Sequence, residues 1–130
     1  MSRLDPITAA LTHAASQAAV DAGVSAILCC TRSGRTARAM ARFRPAADMI
    51  GLSPNPRVVR SLALTWGVTP LQVGLYESTD EMVWFAVETA LRAGLIVSGD
   101  RVLVLAGAPD AHHPLPIGPA TDVLRIVSVA

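Results

Sequence analysis

The sequence predicts an α/β fold, a three-layer α/β/α sandwich around a five-stranded, mostly parallel sheet whose last strand is antiparallel. Three observations carry this. Short apolar runs alternate with stretches of helical period from residue 6 to residue 105. Such alternation, with helices as crossovers, argues a parallel sheet covered on both faces. The last apolar stretch, residues 123–129, alternates apolar and polar side chains like an edge strand with one solvated face. Residues 106–122 carry four prolines and no helical period, so the last strand returns antiparallel beside its predecessor. At 130 residues the chain is expected to form one domain, 1–130, long enough for a core.

Each element has its own punctuation. Asp5-Pro6 reads as an N-cap followed by proline at the first helical position. Ile7, Leu11, Ala14 and Ala18 then recur at helical spacing until Gly23. Residues 25–30 form a buried strand and 34–43 a second helix, which ends near Arg44-Pro45 because a residue before proline disfavours the helical region. Residues 49–52 are a short strand. Ser53-Pro54-Asn55-Pro56 turns the chain into a helix reaching about Thr65, closed by Gly67. Residues 68–73 form a strand in which Pro70 marks an entry or an edge. Ser78-Thr79-Asp80-Glu81 is a capping-box pattern. It explains both acids as first-turn charges, favoured by the helix dipole, in place of a catalytic pair. The helix runs to Arg92 and stops at Gly94, with apolar residues nearly all round, so one face is expected on the sheet and another on a second subunit. After the Ser98-Gly99-Asp100 turn, residues 101–105 form the next strand.

Composition removes several classes. With 52% apolar and 16% charged residues the chain is not disordered. No window holds 18 uninterrupted apolar residues, and the N-terminal stretch lacks a basic region followed by an apolar core. Neither a membrane span nor a signal peptide is expected. Cys29 and Cys30 are adjacent in a strand and point to opposite faces, so they read as unbridged core residues. The expected location is cytoplasmic.

The net charge of +1 conceals a cluster. There is no lysine, and Arg32, Arg35, Arg38, Arg42, Arg44, Arg57 and Arg60 crowd one segment in which Asp48 is the only acid. This suits an anionic ligand or an acidic partner surface; a solvated face is the alternative. Nucleic-acid binding is not expected, because overall basicity and interleaved aromatics are both missing.

The densest chemistry lies at Ser25-Ala26-Ile27-Leu28-Cys29-Cys30-Thr31-Arg32-Ser33-Gly34-Arg35-Thr36-Ala37-Arg38, where Arg35, Arg38 and, beyond, Arg42 sit at helical spacing on one face. An apolar strand ends in a hydroxyl- and arginine-rich turn that opens a helix. Gly34 permits close backbone approach, free N–H groups of a helix start face an anion, and hydroxyls and guanidinium groups add donors. The competing reading is an ordinary strand-to-helix turn with Ser33 as N-cap. Other chemistry is thin. Asp110, His112 and His113 lack metal-ligand spacing, and no metal or cofactor is expected. Cys30, at a strand end near Arg32 and Arg35, is a candidate nucleophile with a lowered pKa, but no histidine is tied to it by sequence.

These blocks resemble the C-terminal, effector-binding domain of pyruvate kinases. The likeness rests on Thr31-Arg32-Ser33-Gly34-Arg35-Thr36-Ala37, Arg42-Phe43-Arg44-Pro45, Ile50-Gly51-Leu52-Ser53-Pro54-Asn55 and Leu62-Ala63-Leu64-Thr65-Trp66-Gly67-Val68-Thr69-Pro70-Leu71. Ser78-Thr79-Asp80-Glu81-Met82 and Gly99-Asp100-Arg101-Val102 extend it, so that it covers nearly the whole chain in order. The resemblance implies the fold already derived. It implies that Thr31, Arg32, Ser33, Gly34, Arg35 and Thr36 hold a phosphate of an allosteric effector. It also implies a second effector element before the last strand, where Gly118 and Thr121 keep the family pattern and Asp122 replaces the expected asparagine. A carboxylate there is unfavourable beside a phosphate unless an arginine offsets it.

In that family the chemistry belongs to a separate barrel domain containing a lysine, which this chain lacks. No catalytic residue is therefore expected, and the chain is either a freestanding relative or an excised domain. The expected partners are a phosphorylated metabolite (a sugar phosphate or nucleoside monophosphate), a separate catalytic barrel protein and further copies of the chain. The alternatives are an oligomerisation module with an unused pocket, or a small enzyme acting on a phosphorylated substrate.

Overall fold

A computed structural model of the chain describes residues 6–107 and 121–130. Nine elements follow in order: α1 (Pro6–Ala22), β1 (Ala26–Cys30), α2 (Arg35–Ala41), β2 (Asp48–Ser53), α3 (Pro56–Leu62), β3 (Val68–Gln72), α4 (Thr79–Arg92), β4 (Arg101–Gly107) and β5 (Thr121–Ser128). The strands form one sheet in the order β3-β2-β1-β4-β5. Its first four strands are parallel, and β5 returns antiparallel on β4. The expected architecture is the observed one.

The alternation of side chains along the central strands builds two cores. On one face Ile27, Cys29, Met49, Leu103 and Leu105 meet α1, α2 and α3 through Ala15, Ala19, Ala37, Met40, Val58 and Leu62. On the other, Leu28, Cys30, Ile50, Leu52, Val102 and Val104 meet Met82, Val83, Ala86 and Ala90 of α4. Both cysteines are free and buried, one in each core. Three helices therefore cover one face of the sheet and one helix the other.

Small residues let α1 lie close, since its buried line is Thr8, Thr12, Ala15 and Ala19. The buried Thr12 hydroxyl is satisfied by donating to the Thr8 carbonyl at 2.8 Å. Gly23, in the left-handed region at φ +62°, ends the helix. Two helices start on side-chain caps, of which the second was expected. Asn55 accepts from the Arg57 N–H at 2.9 Å, with Pro56 at the first position. Ser78 accepts from the Glu81 N–H at 3.1 Å. The Asp5 cap lies outside the described residues. No helix among the described residues is long and apolar enough to cross a membrane.

Candidate functional site

The carboxyl edge of an open α/β sheet is where loops diverge and ligands enter. β1 reaches that edge at Cys30, and the Thr31 N–H donates to the Leu52 carbonyl at 2.9 Å, fastening the following turn to β2. Thr31 is buried, and its Oγ1 accepts the Gly34 N–H at 2.8 Å. The helix cap is Gly34, at φ +89° with no side-chain cap, so Ser33 is not the N-cap that the competing reading made it. The reason is local. The left-handed backbone that reverses the chain favours glycine, and Ser33 Oγ is turned to accept the Arg35 N–H at 3.2 Å.

This rearranges the donor set. The N–H groups of Gly34 and Arg35, expected to face an anion, point at hydroxyls of the turn itself. Thr36 is buried, and Ser33 is the exposed hydroxyl of the three. Facing outward are Ser33 and the exposed side chains of Arg32, Arg35 and Arg38. Arg38 folds back across the turn, its Nη2 donating to the Ser33 carbonyl at 3.1 Å. A Cβ added at Gly34 would lie 2.5 Å from Arg38 Nη1. The close approach that Gly34 permits is thus made, in this structure, by a guanidinium group of the chain itself.

Arg32 lies near the phenol of Tyr76, close enough for its charge to act there. Burial and the neighbouring Cys30 thiol push the Tyr76 phenol up, partly offset by the Arg32 charge and hydrogen bond. Arg38 belongs to the stretch singled out in the sequence but had no contact role assigned there, and Tyr76 was not singled out at all. Arg38 had a signal in its one-turn spacing from Arg35. Tyr76 had none, because the return of residues 73–78 to β1 is a tertiary event.

The candidate role of Cys30 as an activated nucleophile does not hold. Only 4% of Cys30 is exposed, and burial pushes its thiol up from an ordinary value near 9 to about 12. The thiol sits in the core under α4. It is protonated and inert at neutral pH.

Of the second expected element, Gly118 lies outside the described residues, as do Asp110, His112 and His113. The backbone of Thr121 is placed: it opens β5 opposite Gly107, beyond a β-bulge at Ala106/Gly107. Gly107 follows Leu105, which is in register with Cys29 of β1. The start of β5 therefore lies at the same edge of the sheet as the turn of residues 31–36.

A family model described as "Pyruvate kinase, alpha/beta domain" matches residues 9–127. The chain belongs to the pyruvate kinase α/β-domain family. Pyruvate kinase of Clostridium acetobutylicum is 44% identical over 92 residues, which is 71% of this chain and 20% of that protein. Pyruvate kinase of Geobacillus stearothermophilus is 40% identical over 103 residues, 79% of this chain and 18% of that protein. Pyruvate kinase of Lactococcus lactis is 35% identical over 103 residues, again 79% of this chain and 20% of the relative. The chain thus spans about a fifth of the length of the pyruvate kinases it matches. The family match runs continuously through the turn of residues 31–36 and into β5.

Proposed function

We propose that this chain is a regulatory α/β domain that binds a phosphorylated metabolite, a sugar phosphate or nucleoside monophosphate, at the turn of residues 31–36. The observation that carries this reading is that Arg32, Ser33, Arg35 and Arg38 are all exposed on one glycine-bearing turn at the carboxyl edge of the sheet, with the Arg38 guanidinium folded across it. Guanidinium groups bind phosphate oxygens through charge-assisted, often bidentate, hydrogen bonds. Thr31 and Thr36 support the turn from below, and Gly34 provides its reversal. Thr121, at the same edge, is the point from which a second contact would come. The chain does not catalyse phosphoryl transfer by itself. The remaining four-fifths of a pyruvate kinase, including its barrel, would be a partner or another part of a longer protein.

Isothermal calorimetry and thermal melting across sugar phosphates and nucleoside monophosphates test the proposal. A ligand at about a hundred times its dissociation constant should stabilise the fold by roughly 2.7 kcal/mol. No heat and no melting shift with any of them contradicts it. A specific observation favours assembly as a second role. β5 ends the sheet, and its Ile126 side chain is 43% exposed. Edge strands with free backbone groups are templates for pairing with another copy.

A further inference from the structure

Two contacts fix the Arg38 side chain at the turn. Its backbone N–H donates to the Gly34 carbonyl at 3.0 Å, so Arg38 stands one helical turn beyond the glycine. Helical side chains lean towards the start of their helix, and this one lays its guanidinium over Gly34. A Cβ on Gly34 would lie 2.5 Å from Nη1, 3.2 Å from Cζ and 3.5 Å from Nη2, so even an alanine there would push the guanidinium aside. The second contact is the hydrogen bond from Nη2 to the Ser33 carbonyl at 3.1 Å. That bond uses one N–H of the fork and leaves the others for a further acceptor. The side chain is exposed, and among the described residues it takes part in no salt bridge. The sequence holds no acid between Asp21 and Asp48. Asp48 opens β2 opposite Ala26, at the other edge of the sheet from the turn.

We infer that Arg38 contacts the phosphate directly, set in place before the ligand arrives by the Ser33 carbonyl and by the absence of a side chain on Gly34. The inference rests on the phosphate reading of the turn and adds the side chain that turns a charged surface into a shaped one. A guanidinium is planar and rigid, so it can keep one N–H on the Ser33 carbonyl while it offers the rest to phosphate oxygens. A long side chain that is already ordered loses little further freedom when the ligand binds, whereas one caught from solution must be ordered at that moment. Helix N–H groups add little here. α2 has only seven residues, and the N–H groups of Gly34 and Arg35 already bond hydroxyls of the turn. The guanidinium over the glycine supplies the donors that the backbone has committed elsewhere. Gly34 therefore has two tasks: it reverses the chain, and it seats Arg38.

The test measures binding of inorganic phosphate and of a hexose phosphate to the full chain by calorimetry, at low and at high salt. Arg38→Lys keeps the charge, but an ammonium group is a point charge that cannot hold the carbonyl and a phosphate oxygen in one plane. It should weaken both probes about tenfold while leaving the salt dependence as in the wild type. Arg38→Ala should weaken them more and flatten the salt dependence as well. Arg42→Lys, at the end of α2, should change neither. Each variant is checked for native circular dichroism. A second readout needs no variant to bind: in the wild type, the side-chain N–H resonances of Arg38, assigned by their loss in Arg38→Lys, should shift saturably with either probe. Wild-type binding that Arg38→Lys leaves intact overturns the inference and leaves the phosphate reading standing. So do Arg38 resonances that stay in place while a probe binds. Failure of both probes to bind the wild type defeats the phosphate reading and the inference with it.

Discussion

Arg38 changes what the phosphate turn consists of. Its hydrogen bond to the Ser33 carbonyl holds a third positive charge over Gly34, where the sequence pattern placed only Arg32 and Arg35. A phosphate arriving there would meet guanidinium groups first and backbone N–H groups hardly at all, since those of Gly34 and Arg35 are already bonded. Arg35→Ala should therefore weaken a sugar phosphate by about 1.5 kcal/mol in calorimetry, the lower end for a hydrogen bond to a charged group, because the side chain is exposed. Arg57→Ala, in the first turn of α3, should cost much less, and equal losses would mean diffuse attraction in place of a site. The buried cysteines link stability to pH. An unfolded thiol ionises near 9, whereas burial holds Cys30 protonated to about 12 and raises Cys29 as well. Above pH 9 the unfolded state loses protons that the folded state keeps. The stabilisation from each thiol is thus complete below that value and should decline by about 1.4 kcal/mol per pH unit as pH rises towards 12. Urea midpoints at pH 8 and pH 10.5 should separate in the wild type and much less in a Cys29→Ala, Cys30→Ala variant; equal separation would contradict the burial account.

The elements were legible in the sequence because their ends are written in short-range chemistry. Asn55-Pro56, Ser78 with Glu81, and the stops at Gly23 and Gly94 act within a turn or two, and the helices begin and end beside them. The cap of α2 was not legible. Ser33 is the stronger capping residue by type, but the chain reverses at Gly34 and takes the left-handed glycine as cap. What no local rule conveys is how closely elements approach. Gly51, in the middle of β2, is such a place. A Cβ there would fall 2.8 Å from Leu62 Cδ1 and 3.0 Å from Val68 Cγ1. Both are buried, so α3 and β3 would have to move outward together. Gly51→Ala should lower stability by about 1–3 kcal/mol, read as a fall in the urea midpoint with an unchanged slope. An unchanged midpoint would show that α3 packs on β2 more loosely than described.

Over the whole molecule, three helices cover one face of the sheet and α4 alone the other, and this asymmetry leaves apolar surface outside both cores. Trp84 is 60% exposed on α4, Leu75 80% exposed before it, and β5 closes the sheet as an edge. Self-association follows as an expectation, with β5 pairing on β5 across a two-fold axis. Sedimentation equilibrium should give a mass above 13.6 kDa that rises with concentration, and a constant monomer mass would contradict it. The fold could be read from the order of strands and helices, because parallel crossovers admit few topologies. Of the site, the turn could be read but not its interior, since which hydroxyls are buried and which guanidinium folds back depend on contacts between β1, β2 and α2. Whether this turn receives a phosphate is decided by amide chemical-shift mapping of the full chain during titration with a sugar phosphate. Saturable shifts concentrated at residues 31–38, with smaller ones near Tyr76 and the start of β5, are the predicted result. Shifts absent from the turn, or spread evenly over every arginine-bearing surface, would contradict it.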